Sequence, residues 1–231
     1  MLSWINLLFY LLLSVYVNDN KQPIAKQSIH NYDSEKIVIL GSSTAEGAGV
    51  SKIELSWVNR LSFAIKSESK ENLVYNFGKS GYCTYHILPL EIEFKNKPLP
   101  DKERNINKAL SLNPSLVIIN MPSNDAAYGY SNDEQLRNYR IIVDKLKSKN
   151  IKYLICSPQP RNFKDVKVRD QQFQLHQLMS KEFSSNYVDS WSDLSSDDYS
   201  MKEIYNSGDG IHLNDAGHAI IYTKIYAKIK H

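Results

Sequence analysis

The sequence contains little cysteine and no large excess of positive or negative charge. The 231 residues include two cysteines, Cys83 and Cys156, and no CxxC pair. A domain of this length can build a full apolar core without cross-links, so we expect both cysteines to be small, partly buried residues and not a disulfide. The formal net charge is only +3, from 28 Lys and Arg against 25 Asp and Glu, and no basic block is present. The charge pattern therefore argues against nucleic-acid binding.

Long apolar runs are also absent, with one exception at the amino terminus. Residues 2–17, LSWINLLFYLLLSVYV, are nearly all apolar, and polar residues follow. The run is shorter than the roughly 20 residues of a spanning helix and fits the apolar part of a secretory signal peptide. It lacks a preceding Lys or Arg and a following A-x-A site, and a buried helix is the alternative. We expect residues 1–21 to be a signal peptide or short membrane anchor and residues 22–35 a linker. The protein would then be exported (periplasmic, secreted or membrane-tethered), with membrane contact only through residues 2–17.

Internal repeats are absent, and the remaining sequence alternates between two patterns. Hydrophobic residues make up 42% and charged residues 23%, which is typical of a globular domain. Short β-branched runs predict strands at 36–40, 72–76, 115–120, 152–156 and 186–189. Apolar residues at helical spacing predict helices with Ile53, Trp57, Leu61 and Ile65, with Leu136, Tyr139, Ile142, Val143 and Leu146, and over 168–184 and 214–230. This alternation indicates a parallel sheet with helices on both faces. The Pro-rich segment 86–104 is predicted to be an irregular insertion.

Ser43 is the candidate nucleophile, because it lies where a helix should begin after the first strand. Ligands of parallel sheets bind beyond the carboxyl ends of the strands. A serine in this turn would expose its hydroxyl and its N–H near the positive end of the helix dipole. Gly41 and Gly47 would permit a tight turn. The alternative is that Ser42 or Ser43 only caps the helix.

A serine nucleophile needs a base, and His212 is the best candidate of the six histidines. Asp209 precedes it by three residues in the glycine-containing loop GDGIH. Such a loop can bring the carboxylate to one imidazole nitrogen and leave the other for a serine hydroxyl. The alternative is an ordinary loop in which Asn214 or Asp215 caps the last helix.

Three groups after predicted strands could stabilise an oxyanion: the N–H of Ser43, the N–H of Gly81 and the side-chain amide of Asn124. Glycine allows a substrate to approach the backbone closely, and the asparagine follows the third strand. For Asn124 the alternative is a turn or a helix cap.

In this order the residues resemble the four motif blocks of the SGNH hydrolases of the GDSL esterase/lipase superfamily. The blocks are GSSTAEG at 41–47, NFGKSG at 76–81, PSND at 122–125 and DGIH at 209–212. The resemblance covers residues 36–231 and implies a single three-layer α/β/α domain with a flavodoxin-like parallel sheet of about five strands. It implies a catalytic triad of Ser43, Asp209 and His212. Ser42 replaces the usual Asp of the first block and Pro122 the usual Gly of the third.

The resemblance further implies a serine esterase that acts through an acyl-enzyme without metal or organic cofactor. Tyrosines are frequent in the loops, and aromatic rings can stack on sugars. We therefore expect Tyr82, Tyr128 and Arg161 to contact the substrate, a short-chain ester such as an acetyl ester of a small molecule or oligosaccharide. The alternatives are a lysophospholipase or thioesterase, an inactive carbohydrate-binding protein of the same fold, and a structural exported protein.

Overall fold

The five apolar runs form one parallel sheet in the computed structural model, which describes residues 34–230. The strands are β1 (Lys36–Gly41), β2 (Leu73–Asn76), β3 (Leu116–Asn120), β4 (Lys152–Cys156) and β5 (Tyr187–Val188). Their order is β2-β1-β3-β4-β5, which is the flavodoxin-like order. The predicted fold is thus confirmed. The observed strand ends differ from the predicted ones by one residue at most.

Helices cover both faces of the sheet. They are α1 (Ser43–Glu46), α2 (Trp57–Glu68), α3 (Ile106–Ser111), α4 (Asn124–Ala127), α5 (Asn132–Ser148), α6 (Val166–Phe183), α7 (Trp191–Leu194) and α8 (Asp215–Lys230). The predicted apolar stripe of α5 is buried along its whole length. The inclusion of Ile53 in the stripe of α2 is wrong. Ile53 is 51% exposed and lies in a short 3-10 turn, because Ser56 caps α2 by accepting a hydrogen bond from the Asn59 N–H.

Two apolar layers lie on opposite sides of the sheet. One contains Val38, Leu40 and Val117 with buried residues of α3, α5 and α6, and the other contains Ile37, Ile39 and Ile118 with buried residues of α2 and α8. This arrangement follows from the alternation of side chains along each strand. The central strands β1 and β3 are covered on both faces, which explains why their runs are continuously apolar, whereas the edge strand β2 is only partly buried.

The two cysteines are buried in different layers and are free thiols, as expected. Burial raises the pKa of each to about 12. Neither thiol is therefore ionised near neutral pH, and both are inert core groups.

The segment 86–104 is irregular, as predicted, and the next helix is α3 at Ile106. The Asp101 N–H donates to the His86 carbonyl (2.8 Å), which closes the two ends of the insertion on each other. Among residues 34–230, no helix is long and apolar enough to cross a bilayer. The signal peptide, anchor and most of the linker predicted for residues 1–35 lie outside the described residues.

Candidate active site

Ser43 lies at the floor of the site, at the first residue of α1. A side chain at Gly41 would place its Cβ 2.3 Å from the Ala45 Cβ, so only glycine permits the helix to start directly above the strand. Ser43 is 7% exposed, less than the sequence suggested, and its Oγ lies 3.0 Å from His212 Nε2. The side chain of Ser42 makes no cap hydrogen bond to α1. The turn therefore brings one hydroxyl to the histidine.

His212 is held by Asp209 through both its backbone and its ring. Asp209 Oδ2 lies 2.6 Å from His212 Nδ1, and Oδ1 accepts the N–H groups of Ile211 (2.7 Å) and His212 (2.8 Å). Partial burial acts to raise the pKa of Asp209, but these hydrogen bonds outweigh it and hold the pKa well below its usual range. The ionised carboxylate favours the proton on Nδ1, and Nε2 is then left as the acceptor that faces Ser43.

The loop after α1 brings His212 to Ser43 by close backbone contact. A Cβ on Gly49, whose φ is +95°, would lie 2.2 Å from the Leu213 carbonyl oxygen. Asp215 accepts hydrogen bonds from the N–H (2.8 Å) and hydroxyl (2.6 Å) of Ser51. The segments that directly follow the first and fourth motif blocks are thus joined to each other.

His218 is fully buried in α8, where it links this helix to neighbouring segments. Its Nε2 lies 3.0 Å from the Ala48 carbonyl oxygen, and its Nδ1 accepts the Trp57 N–H at 3.3 Å. Burial lowers the pKa of His218 to about 4, so the ring is neutral and joins α8 to the start of α2. Asn214, as the alternative proposed, caps α8 by accepting the N–H groups of Ala216 (3.0 Å) and Gly217 (3.1 Å).

The three candidate oxyanion donors remain available. Within residues 34–230, neither the Ser43 N–H nor the Gly81 N–H donates to a protein group. Asn124 Nδ2 gives one hydrogen to the Tyr82 carbonyl at 2.8 Å and keeps a second. The phenol of Tyr128 donates to the Gly81 carbonyl at 2.9 Å, and Gly81 has a φ of +82°. Two hydrogen bonds from the segment after β3, from Asn124 and Tyr128, therefore fix the backbone around the Gly81 N–H.

The β2 loop is also tied to α1. Asn76 Nδ2 donates to the Ala45 carbonyl (2.7 Å), and the Glu46 carboxylate accepts the Ser80 N–H (2.7 Å). Gly78 lies so close to α1 that an added Cβ would be 2.6 Å from the Glu46 N. The small residues of the second block are thus needed for this contact.

The two departures from the family motifs have different surroundings. Ser42 is fully buried, and its hydroxyl has no hydrogen-bond partner within the part of the chain that the structure describes. Pro122 is buried, and its carbonyl accepts the Gln159 N–H at 3.0 Å. The residue that lacks a backbone donor is therefore hydrogen-bonded through its carbonyl to the loop that follows β4.

Gln159 connects the loops and was not found from the sequence. It is 3% exposed, its Oε1 accepts the Thr44 hydroxyl (2.9 Å), and its Nε2 donates to the Ile211 carbonyl (2.8 Å). Together with the bond to Pro122, this one residue contacts the first, third and fourth motif blocks. Its only sequence signal is its position three residues after the end of a strand.

The three predicted substrate contacts have different environments. Tyr82 is 5% exposed and its phenol donates to Asp101, so burial and this carboxylate raise its pKa. Its ring is core and does not reach the mouth of the site. Tyr128 is 52% exposed at the mouth. Arg161 is half-buried in the loop that follows β4.

No group of three or more His, Cys, Asp or Glu side chains within residues 34–230 could hold a metal ion. A surface groove of about 750 Å³ lies at the opposite end of the sheet, where it is lined by Glu35, Ser115 and Lys152 among others. Ser43, Asp209 and His212 do not line this groove. It is therefore separate from the hydrogen bonds that join these three residues.

The sequence matches the model of the GDSL-like lipase/acylhydrolase family over residues 39–220. No curated protein matches the chain. Similar solved structures include a GDSL-like lipase from Bacteroides thetaiotaomicron VPI-5482, with 18% identity, a TM-score of 0.59 and coverage of 85% of this chain and 88% of that one. The acetyl xylan esterase AlAXEase has 18% identity, a TM-score of 0.61 and coverage of 84% and 99%. The lipase Lip_vut3 from a goat rumen metagenome has 14% identity, a TM-score of 0.67 and coverage of 84% and 97%. At these identities the structures establish the common fold.

Proposed function

Because this chain belongs to the GDSL-like lipase/acylhydrolase family and is a carboxylic ester hydrolase, we propose that Ser43 is its nucleophile, His212 its general base and Asp209 the partner of that base. The observation that supports this assignment is the hydrogen-bonded row from Asp209 through both ring nitrogens of His212 to the Ser43 hydroxyl. A binding protein of the same fold would have no use for this row.

The proposed reaction proceeds in two acyl-transfer steps. His212 Nε2 takes the hydroxyl proton as Ser43 Oγ attacks the ester carbonyl carbon, and Asp209 stabilises the imidazolium that forms. The negative oxygen of the tetrahedral intermediate accepts hydrogen bonds from the N–H groups of Ser43 and Gly81 and from Asn124. The carbon–oxygen bond to the alcohol then breaks, and the alcohol leaves with the proton from His212. In the second step His212 takes a proton from water, which attacks the acyl carbon. The bond to Ser43 Oγ then breaks, the serine regains its proton from His212, and the acid is released.

We propose that the substrate is a short-chain, preferably acetyl, ester on a carbohydrate. Tyr128 offers an exposed aromatic ring at the mouth, and Arg161 is a polar neighbour that a long hydrocarbon chain would have to desolvate. A polymeric substrate would also suit an exported enzyme, and amino-terminal sequencing of the mature protein would show whether residues 1–21 are removed.

Ester hydrolysis by matched serine variants tests the assignment. Ser43→Ala should lower kcat/KM for p-nitrophenyl acetate by about 10³-fold or more, because only oxyanion donors and binding would remain. Ser42→Ala is the matched control and should keep most of the activity, because the Ser42 hydroxyl has no hydrogen-bond partner among residues 34–230. Circular dichroism would verify that both variants fold. Loss of turnover in Ser42→Ala with activity retained in Ser43→Ala would contradict the assignment.

A further inference from the structure

Arg161 differs from every other arginine of the chain in having no hydrogen-bond acceptor among residues 34–230. The other five guanidinium groups each donate to a protein atom; they belong to Arg60, Arg104, Arg137, Arg140 and Arg169. Arg161 only lies over the Phe163 ring, 4.9 Å from its centre. It is nevertheless half-buried, and burial lowers its pKa. A guanidinium in this state has lost part of its hydration without gaining a protein acceptor among residues 34–230.

The loop that carries Arg161 is anchored on both sides. The Asn162 N–H donates to the Gly210 carbonyl (2.9 Å), and the Phe163 carbonyl accepts a hydrogen bond from Arg169 (2.6 Å). Gln159 fixes the start of the same loop. The backbone position of Arg161 is therefore set by the fold, so the guanidinium needs little reorganisation to bind a ligand.

The loop that carries Arg161 packs against the fourth motif block, because a Cβ on Gly210 would lie 3.2 Å from the Asn162 Cβ. The groups that act on the charge of Arg161 are Asp209, which holds the histidine, and Tyr128, which holds the Gly81 carbonyl. Asp209 does not pair with it, because the Asp209 oxygens already accept hydrogen bonds from the Ile211 N–H and from the backbone and ring of His212. Arg161 thus has no salt-bridge partner among residues 34–230, although its loop is bonded to the Gly210 carbonyl, next to Asp209.

We propose that Arg161 binds an anionic group, a carboxylate or a phosphate, on the alcohol portion of the ester. The preferred substrates are then short acyl esters of acidic carbohydrates. The inference rests on the proposed function and adds a charge requirement to it. The planar fork of arginine matches the two oxygens of such groups, and partial desolvation strengthens the contact.

Three acetylated sugars that differ only at carbon 6 test the proposal. They are 2-O-acetylated methyl glucuronoside, methyl glucoside 6-phosphate and methyl glucoside, and released acetate is the readout. The wild-type kcat/KM should be at least about tenfold higher for one or both anionic sugars than for the neutral sugar. Comparison of the glucuronoside with the 6-phosphate shows whether a carboxylate or a phosphate fits better. The preference should decrease when NaCl is raised from 0.05 to 0.5 M, a test that needs no variant.

Substitution of Arg161 separates recognition from support of the catalytic residues. Arg161→Gln should reduce the anionic-to-neutral ratio of kcat/KM to near 1, and Arg161→Lys should keep part of it. Lys164→Gln, which removes an exposed charge from the same loop, should leave the ratio unchanged. The anionic-to-neutral ratio of each variant is compared with that of the wild type, which cancels the different intrinsic reactivities of the esters.

Two results would overturn the proposal. One is an equal wild-type rate on all three sugars, and the other is a loss in Arg161→Gln by the same factor on neutral and anionic esters. Serine-dependent hydrolysis of uncharged p-nitrophenyl acetate reports on the proposed function separately. A wild-type enzyme that passes that test and shows no charge preference keeps its function and loses only this inference.

Discussion

Gln159→Leu tests how strongly the loops of the proposed active site depend on one buried amide. Leucine has a similar size but neither accepts the Thr44 hydroxyl nor donates to the Ile211 carbonyl. Each lost hydrogen bond is worth about 0.5–1.5 kcal/mol net, and a carbonyl left unpaired adds about 1–3 kcal/mol. We expect a loss of about 2–4 kcal/mol in the free energy of unfolding, which for a domain of this size lowers Tm by about 5–15 °C.

Activity should decrease as well, because Ile211 directly precedes His212. A shift of the imidazole away from Ser43 can cost about 10²-fold in rate, so we expect kcat to fall by about 10- to 100-fold. Urea unfolding and p-nitrophenyl acetate kinetics measure the two effects. The matched control is Gln177→Leu on the exposed face of α6, which should change the free energy of unfolding by less than about 0.5 kcal/mol. If Gln159→Leu behaves like this control in both assays, the residue does not connect the loops as we describe.

Three further predictions follow from the site and its surroundings. Rates with p-nitrophenyl esters should decrease from acetyl to octanoyl, and a preference for octanoyl would support a lipid substrate instead. Asp209→Asn should lower kcat by up to about 10⁴-fold with little change in KM, because His212 loses the partner of its imidazolium; a near-wild-type kcat would exclude that role. Burial raises the pKa of Asp125 to about 6 despite its hydrogen bonds from Thr84, so the folded state binds the proton more tightly than the unfolded state. Stability that is present at pH 4 should therefore be lost as the pH rises through 6 to 7, by about 2 kcal/mol relative to Asp125→Asn in urea unfolding. An unchanged difference between pH 4 and 7 would show that this carboxyl does not titrate in that range.

The fold was predictable because local patterns and long-range packing agree. Strands such as β4, with Leu154 and Ile155, are apolar on both faces, and buried parallel strands require that pattern. The motif blocks were also predictable, since each lies at a strand end or before the last helix. The pairing order of the strands, in contrast, depends on contacts between distant residues and followed only from the family resemblance.

The surroundings of the site were less predictable from sequence. Tyr82 and Tyr128 both follow predicted strands, but one is buried because Asp101 of the insertion accepts its phenol, and the other is exposed. Gln159 joins Thr44 and Ile211, which lie 115 and 52 residues away along the chain. Neither periodicity nor composition reports such contacts. Aromatic and polar residues in loops therefore need the structure before a role can be assigned.

Covalent labelling by a fluorophosphonate probe tests the central claim most directly. The probe reacts with a serine hydroxyl only where a base and oxyanion donors activate it. Mass spectrometry of the digested protein should find one modified serine, Ser43, with labelling lost in Ser43→Ala and strongly slowed in His212→Ala. Absence of labelling in folded wild-type protein, or labelling that persists in Ser43→Ala at another serine, would contradict the account.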